Sequence, residues 1–290
     1  MLAIVTESTS GITREEADEL GVTIVPTYYV VDGVSRKEEY ADECGDYASL
    51  FAGDLITHSE PAFPNSYVEA FSEAFAKGYD VLCITISSRL SAGYRSALNA
   101  KKFFFGEDQG DEDEPGKRQK SLYVLDSGAA GASLEILVRT ARAAADRGLS
   151  LEEVVAEVER KREHLHALFA VEDMVDIRRS GRLTNTRRSV SSSLDRYPIF
   201  VIQRGGVTTS EVARGTQGMA KLMLRDVPAN VRQVYVAYFG VKSKALTRLL
   251  GAIGTQHRDA RVSIKDGGPV LTCNIGVGAV SLIWDDEDVA

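Results

Sequence analysis

Three hydroxyl-rich turns stand out among the residues able to do chemistry: Thr6-Glu7-Ser8-Thr9-Ser10, Ser87-Ser88-Arg89-Leu90-Ser91 and Asp126-Ser127-Gly128. Each follows an apolar, strand-like run and precedes a helical pattern. In an open α/β sheet, ligands bind beyond the carboxyl ends of the strands. Free N–H groups at a helix start, with the helix dipole behind them, favour an anion there. The same residue types are also ordinary helix caps, and any one turn alone reads that way. Three of them at one sheet end would crowd a single crevice, which favours a binding site. A second constellation is Arg178-Arg179-Ser180-Gly181-Arg182, with Arg187 and Arg188 shortly after. Guanidinium binds carboxylate or phosphate bidentately. Most of these arginines fit a solvated turn that pairs with the acidic stretch 107–120 or with Glu172 and Asp173. Arg182, set after Gly181, is the one expected to face an anion. A third feature is the run Gly267–Ala279, read as a strand at Val270–Cys273 followed by Asn274 and a Gly276-x-Gly278 turn. Such a turn lets the backbone approach a ligand closely.

Other templates are missing. No GxGxxG, P-loop, GxSxG elbow, HExxH or kinase signature occurs. His164 and His166, read as two apart on one helix, face different ways and make poor co-ligands. His257 lies in a polar stretch and reads as a surface residue, while His58 sits in a polar turn, Thr57-His58-Ser59-Glu60-Pro61, ahead of a helix. Cys44, Cys83 and Cys273 are too few and too scattered for a disulfide framework or a CxxC metal site. With 34 Lys+Arg against 42 Asp+Glu, the formal charge of −8 argues against a phosphate-backbone binder, so no nucleic-acid partner is expected. No apolar run reaches membrane-spanning length and no basic leader opens the chain, so a soluble, cytoplasmic protein is expected.

The elements that must position these residues follow from periodicity. A chain of 290 residues favours two packed units over one. Leu2–Val5, Val81–Ile86 and Leu122–Leu125 read as buried strands; Thr23–Val30 is β-rich, with Pro26 marking a bend. Thr13 with Glu16 and Ser150 with Glu153 are capping-box pairs, opening helices that end near Gly21 and His164. Strands alternating with helices over the first 150 residues or so imply a parallel sheet. Beyond His164 the strands Ala167–Val171, Ile199–Gln203, Val207–Thr209, Val234–Tyr238 and Val262–Ile264 include a hairpin signal at Gly205-Gly206, so the second sheet is mixed or antiparallel. The expected architecture is two α/β domains, residues 1–160 with a Rossmann-like parallel sheet and residues 161–290 with a mixed sheet and helices.

Along nearly the whole chain these motifs resemble the DegV family of bacterial fatty-acid-binding proteins, which includes the lipid-carrying subunit of bacterial fatty acid kinase. Glu7-Ser8-Thr9 is similar to that family's Asp-Ser-Thr start, and Val25-Pro26 with Tyr28–Gly33 to its next stretch. His58-Ser59-Glu60-Pro61 stands where the family has Thr-Ser-Gln-Pro. Ser87–Ala97 is close to Ser-Ser-x-Leu-Ser-Gly-Thr-Tyr-x-Ser-Ala, and Asp126-Ser127 matches the Asp-Ser after its third strand. Ile177–Leu183 resembles Leu-Lys-Lys-Gly-Gly-Arg-Ile, Tyr197-Pro198-Ile199 resembles Lys-Pro-Ile, and Gly268-Pro269-Val270 with Asn274, Gly276 and Gly278 resembles Gly-Pro-Val…His-x-Gly-x-Gly. The resemblance implies a DegV-like carrier, not an enzyme. It would hold a long-chain fatty acid in an interdomain tunnel and present it to a fatty acid kinase subunit of the dihydroxyacetone-kinase-like type. It implies no cofactor or metal beyond that bound lipid. Carried over residue by residue, the carboxylate-binding set is His58, Ser59, Ser91, Arg182 and Asn274, with His58 in place of Thr and Asn274 in place of His. The competing readings are a serine-dependent acyl hydrolase or transferase using Ser91 with His58 as base, and a lipid-free small-molecule sensor.

Overall fold

The computed structural model describes residues 1–51, 55–106, 121–183 and 195–289. The first half runs β1 (Leu2–Glu7), α1 (Arg14–Leu20), β2 (Val22–Val25), β3 (Thr27–Val31), β4 (Val34–Glu38), β5 (Thr57–Glu60), α2 (Pro64–Ala76), β6 (Asp80–Thr85), α3 (Gly93–Phe105), β7 (Leu122–Asp126), α4 (Ala132–Asp146) and α5 (Leu151–Glu163). The second runs β8 (Leu165–Ala170), α6 (Val175–Arg179), β9 (Arg196–Gln203), β10 (Gly206–Arg214), α7 (Gly215–Met223), β11 (Gln233–Tyr238), α8 (Lys244–Gln256), β12 (Arg261–Asp266), α9 (Gly268–Ile275) and β13 (Val280–Asp285).

The apolar runs of β1, β6 and β7 form a parallel sheet in the order β2-β1-β6-β7. Both faces are covered, as continuous apolar strands require. Ile4, Leu82 and Ile84 pack towards α4 and α5, while Val5, Val81 and Cys83 on the opposite face pack under Tyr67 and Phe71 of α2. Both expected capping boxes are formed, at Thr13 with Glu16 and at Ser150 with Glu153. The second sheet is mixed, in the order β10-β9-β8-β13-β11-β12, with β11 and β12 its parallel pair. Its hairpin turns at Arg204 and Gly205, both at positive φ, a two-residue connection whose twist suits antiparallel strands. One face of this sheet packs on α7 and α8 through residues such as Val236, Leu282, Met219 and Leu246. The other face turns towards α4 and α9.

Several local expectations are corrected. Val270–Cys273 is not a strand but the middle of α9: Pro269 sits in its first turn, where its missing N–H costs nothing, and Gly276 at φ +94 follows its end. The polar Thr57–Pro61 stretch is an edge strand, β5, pairing with β3 in a small three-stranded sheet completed by β4. Pro26 separates β2 and β3 and sends them to different sheets. β13, not anticipated, is a central strand of the second sheet. His257 is buried rather than superficial. His164 ends α5 and His166 lies on β8, so they do not share a helix; both reach one carboxylate, Asp286, at 2.8 Å. Arg187, Arg188 and the acidic stretch 107–120 lie outside the described residues. Among the described residues no helix is long and apolar enough to cross a membrane, and no three His, Cys, Asp or Glu side chains converge as metal ligands.

Candidate ligand site

Strand register builds the floor of a cavity. On the face turned from α7 and α8, Ala167, Ile283, Tyr235 and Ser263 stand side by side across β8, β13, β11 and β12; Phe169, Ser281, Ala237 and Lys265 form the next row. All of these line the cavity, joined by Ile202 of β9 and Val207 of β10, so every strand of the sheet contributes. Six strands in a row span roughly 24 Å at the usual spacing of about 4.8 Å. The opposite wall is Thr9 and Ser10, the start of α4 from Ala130 to Glu135, and Val270, Leu271 and Asn274 of α9. The cavity encloses about 110 Å³. At roughly 30 Å³ per water, that is room for on the order of four waters.

One end is polar, and Arg182 organises it. Gly181, at φ +68, turns the chain after α6 and delivers Arg182 inward. Its Nε donates to the Leu90 carbonyl at 2.7 Å, Nη1 to the Ser180 carbonyl at 3.0 Å and to Asn274 Oδ1 at 2.6 Å, and Nη2 to Ser59 Oγ at 3.1 Å. Among the described residues this leaves one of the five guanidinium N–H groups, on Nη2, unengaged. Burial pushes the Arg182 pKa down. Among the described residues Arg182 has no carboxylate partner. Asn274 fixes the arginine: its Nδ2 donates to the Val270 carbonyl at 2.6 Å and to Ser59 Oγ at 3.0 Å while its Oδ1 accepts from Arg182. Ser91 stands two residues before α3, its Oγ accepting from the Gly93 N–H at 3.3 Å, and its own O–H has no acceptor among the described residues. Ser59, Ser91, Arg182 and Asn274 thus come together at one end of an apolar cavity.

His58 does not join them. Side chains alternate along a strand; on β5, Thr57 is buried, Ser59 lines the cavity and His58 between them is exposed. The structure therefore places His58 outside the cavity and its neighbour Ser59 on the cavity wall. Arg179 pairs with Asp176 and donates to Thr57 Oγ1 at 2.8 Å, outside the cavity.

Of the three hydroxyl-rich turns, two reach the cavity, through Thr9 and Ser10 and through Ser91. The third does not: Asp126 Oδ1 accepts from the N–H groups of Ser88 and Gly128, a local turn. Ser87 is likewise structural, donating at 2.7 Å to the carbonyl of Gly205 at the hairpin tip of the second sheet.

Two of the buried carboxyls have raised pKa values. Glu7 accepts from Tyr67 Oη and the Ile86 N–H, each at 2.7 Å, and burial pushes its pKa up to about 7. Glu38 accepts from the Val270 N–H at 2.7 Å and is pushed up to about 7 by the same cause. Glu7 ends a buried strand, a signal that could have marked it; Glu38 closes a strand of polar residues and gives no such signal.

The comparisons agree with this architecture. A family model described as "Uncharacterised protein, DegV family" matches residues 1–287. A DegV domain-containing protein of Halalkalibacterium halodurans is 28% identical over 296 residues, covering 98% of each chain. The solved structure of a DegV family protein from Thermus thermophilus, described as fatty acid binding, superposes with a TM-score of 0.82 at 23% identity, over 98% of this chain and 99% of that one. The Streptococcus pneumoniae fatty acid kinase B3 protein, loaded with linoleic acid, gives 0.78 at 20% identity, over 98% and 99%.

Proposed function

The chain belongs to the DegV family, and on that premise we propose that it is a non-catalytic carrier of one long-chain fatty acid. The acyl chain occupies the cavity between two units, residues 1–160 and 161–290, and the carboxylate meets Arg182 and Ser91. The carrying observation is a largely buried arginine that lacks a carboxylate partner among the described residues and stands at the end of an apolar cavity. A guanidinium so placed calls for an anion. The free Nη2 proton and the Ser91 hydroxyl supply two donors for one carboxylate; Ser59 and Asn274 hold the arginine in place. Apolar burial at about 0.8 kcal/mol per methylene supplies the affinity. A methylene takes up about as much room as a water, so a long chain exceeds the cavity's room for on the order of four waters, and loading parts the walls. The hydrolase alternative is not favoured, because the base it requires, His58, is exposed on the other side of β5. Presentation of the carboxylate to a fatty acid kinase subunit follows the likeness to the Streptococcus pneumoniae protein. Organic extraction of the purified protein followed by mass spectrometry tests the carrier reading. About one fatty acid per chain is expected; a lipid-free protein that also takes up no palmitate on titration would overturn it.

A further inference from the structure

The cavity wall formed by Thr9 and the start of α4 is not uniformly apolar. Glu135 lines the cavity at 2% exposure. Its Oε1 accepts from Arg139 Nε at 2.8 Å and Lys265 Nζ at 2.7 Å, while Oε2, equally buried, has no hydrogen-bond partner among the described residues. Thr9 lines the same wall at 3% exposure, and its Oγ1 is also without a partner. The two residues are tied to one glycine: the Gly131 N–H donates to the Thr9 carbonyl at 2.9 Å, and the Gly131 carbonyl accepts from the Glu135 N–H at 3.1 Å. Glu135 thus stands one helical turn beyond Gly131, and Thr9 lies against the near end of that turn. An unsatisfied buried carboxylate oxygen and an unsatisfied buried hydroxyl are costly against a plain hydrocarbon. Together they offer one acceptor and one group able to donate, the complement of an alcohol.

We infer that this wall is a second polar subsite, selecting an acyl chain that bears a hydroxyl part-way along its length. The ligand O–H donates to Glu135 Oε2 and its oxygen accepts from Thr9 Oγ1–H. Both the placement along the chain and the choice of alcohol follow from position and charge. Gly131 faces Leu271, about one turn of α9 before the Arg182 partner Asn274. Glu135 lies further on, against Lys265 of the edge strand β12. A second carboxylate would meet the free Glu135 oxygen as a like charge, and a methyl end would leave both groups unpaired.

The inference rests on the carrier reading, and the test separates the two. Delipidated protein is titrated with palmitate, ω-hydroxypalmitate, oleate, ricinoleate and hexadecanedioate. At least one hydroxylated acid is expected to bind about 10- to 100-fold more tightly than its plain counterpart, the effect of a hydrogen bond to a charged group, with the diacid weakest. Thr9→Val, which leaves the Glu135 ion pairs in place, and Glu135→Gln are each expected to shrink that ratio. Plain and hydroxylated acids bound equally by the wild type, or a ratio unmoved by both substitutions, would overturn the subsite and leave the carrier intact. Failure of every acid to bind would remove both.

Discussion

At the scale of single residues, Arg182 and Glu7 illustrate opposite uses of burial. Arg182 keeps its charge because four neutral acceptors surround it, and a fatty carboxylate would add the counter-charge they lack. Arg182→Ala is expected to lower palmitate affinity by about 10- to 100-fold, the range for a lost charge-assisted hydrogen bond. A fluorescence titration reads this directly, and an unchanged affinity would exclude Arg182 from the head-group site. Glu7 does the reverse, holding a proton that the unfolded chain gives up. Its pKa moves from an ordinary 4.5 to about 7, so between those values the folded state binds the proton more tightly than the unfolded state. Stability therefore falls as pH rises through this window and levels off above it. The full effect is on the order of 3 kcal/mol, at about 1.4 kcal/mol per unit. Glu38 adds a drop of the same sign. Urea denaturation at about pH 5 and about pH 8 should show wild type losing stability and Glu7→Gln losing distinctly less. An equal loss in both would mean that Glu7 stays ionised.

At the scale of elements, the hairpin of β9 and β10 meets the strand ends of the first sheet where Ser87 donates to the Gly205 carbonyl and Arg89 to the Arg204 carbonyl. Gly205 has φ +74, and a Cβ there would lie 2.5 Å from Ser87 Oγ and 3.3 Å from Gly128 Cα. Gly205→Ala combines left-handed strain with a clash against backbone and is expected to cost about 2–3 kcal/mol. A lowered urea midpoint with unchanged slope would record it; an unaltered midpoint would show that the hairpin tip yields freely. The same contact shows what sequence could and could not give. The strands and capped helices of the first half were legible because period and caps agree there. The family-like serine turns were legible as turns, but that Ser87 serves a distant hairpin while Ser91 faces the cavity depends on long-range packing. β5 was hidden because its polar residues line a sheet edge. α9 was hidden because a short apolar run fits strand and helix equally; Pro269 was the overlooked clue. The hidden β5 accounts for His58: read as a turn, its side chain had no assigned face, whereas on a strand it alternates away from Ser59.

At the scale of the whole molecule, a ligand held between α4, α9 and the second sheet binds only the folded arrangement, so saturating palmitate should raise the melting temperature with its concentration, as mass action requires. A protein that binds palmitate without this rise would have to bind it outside the core. Ion pairs also join the two halves of the chain beside the cavity: Lys265 of β12 contacts Glu16 of α1 at 2.6 Å and Glu135 of α4 at 2.7 Å, and Arg139 bridges the same two carboxylates. Opening the walls on that side separates these charges, and partly exposed pairs weaken as salt rises. On the carrier reading, the cluster would therefore set the residence time of the bound acid. Raising ionic strength should speed the transfer of palmitate from this protein to acceptor vesicles, and Lys265→Met should make that release fast and nearly independent of salt.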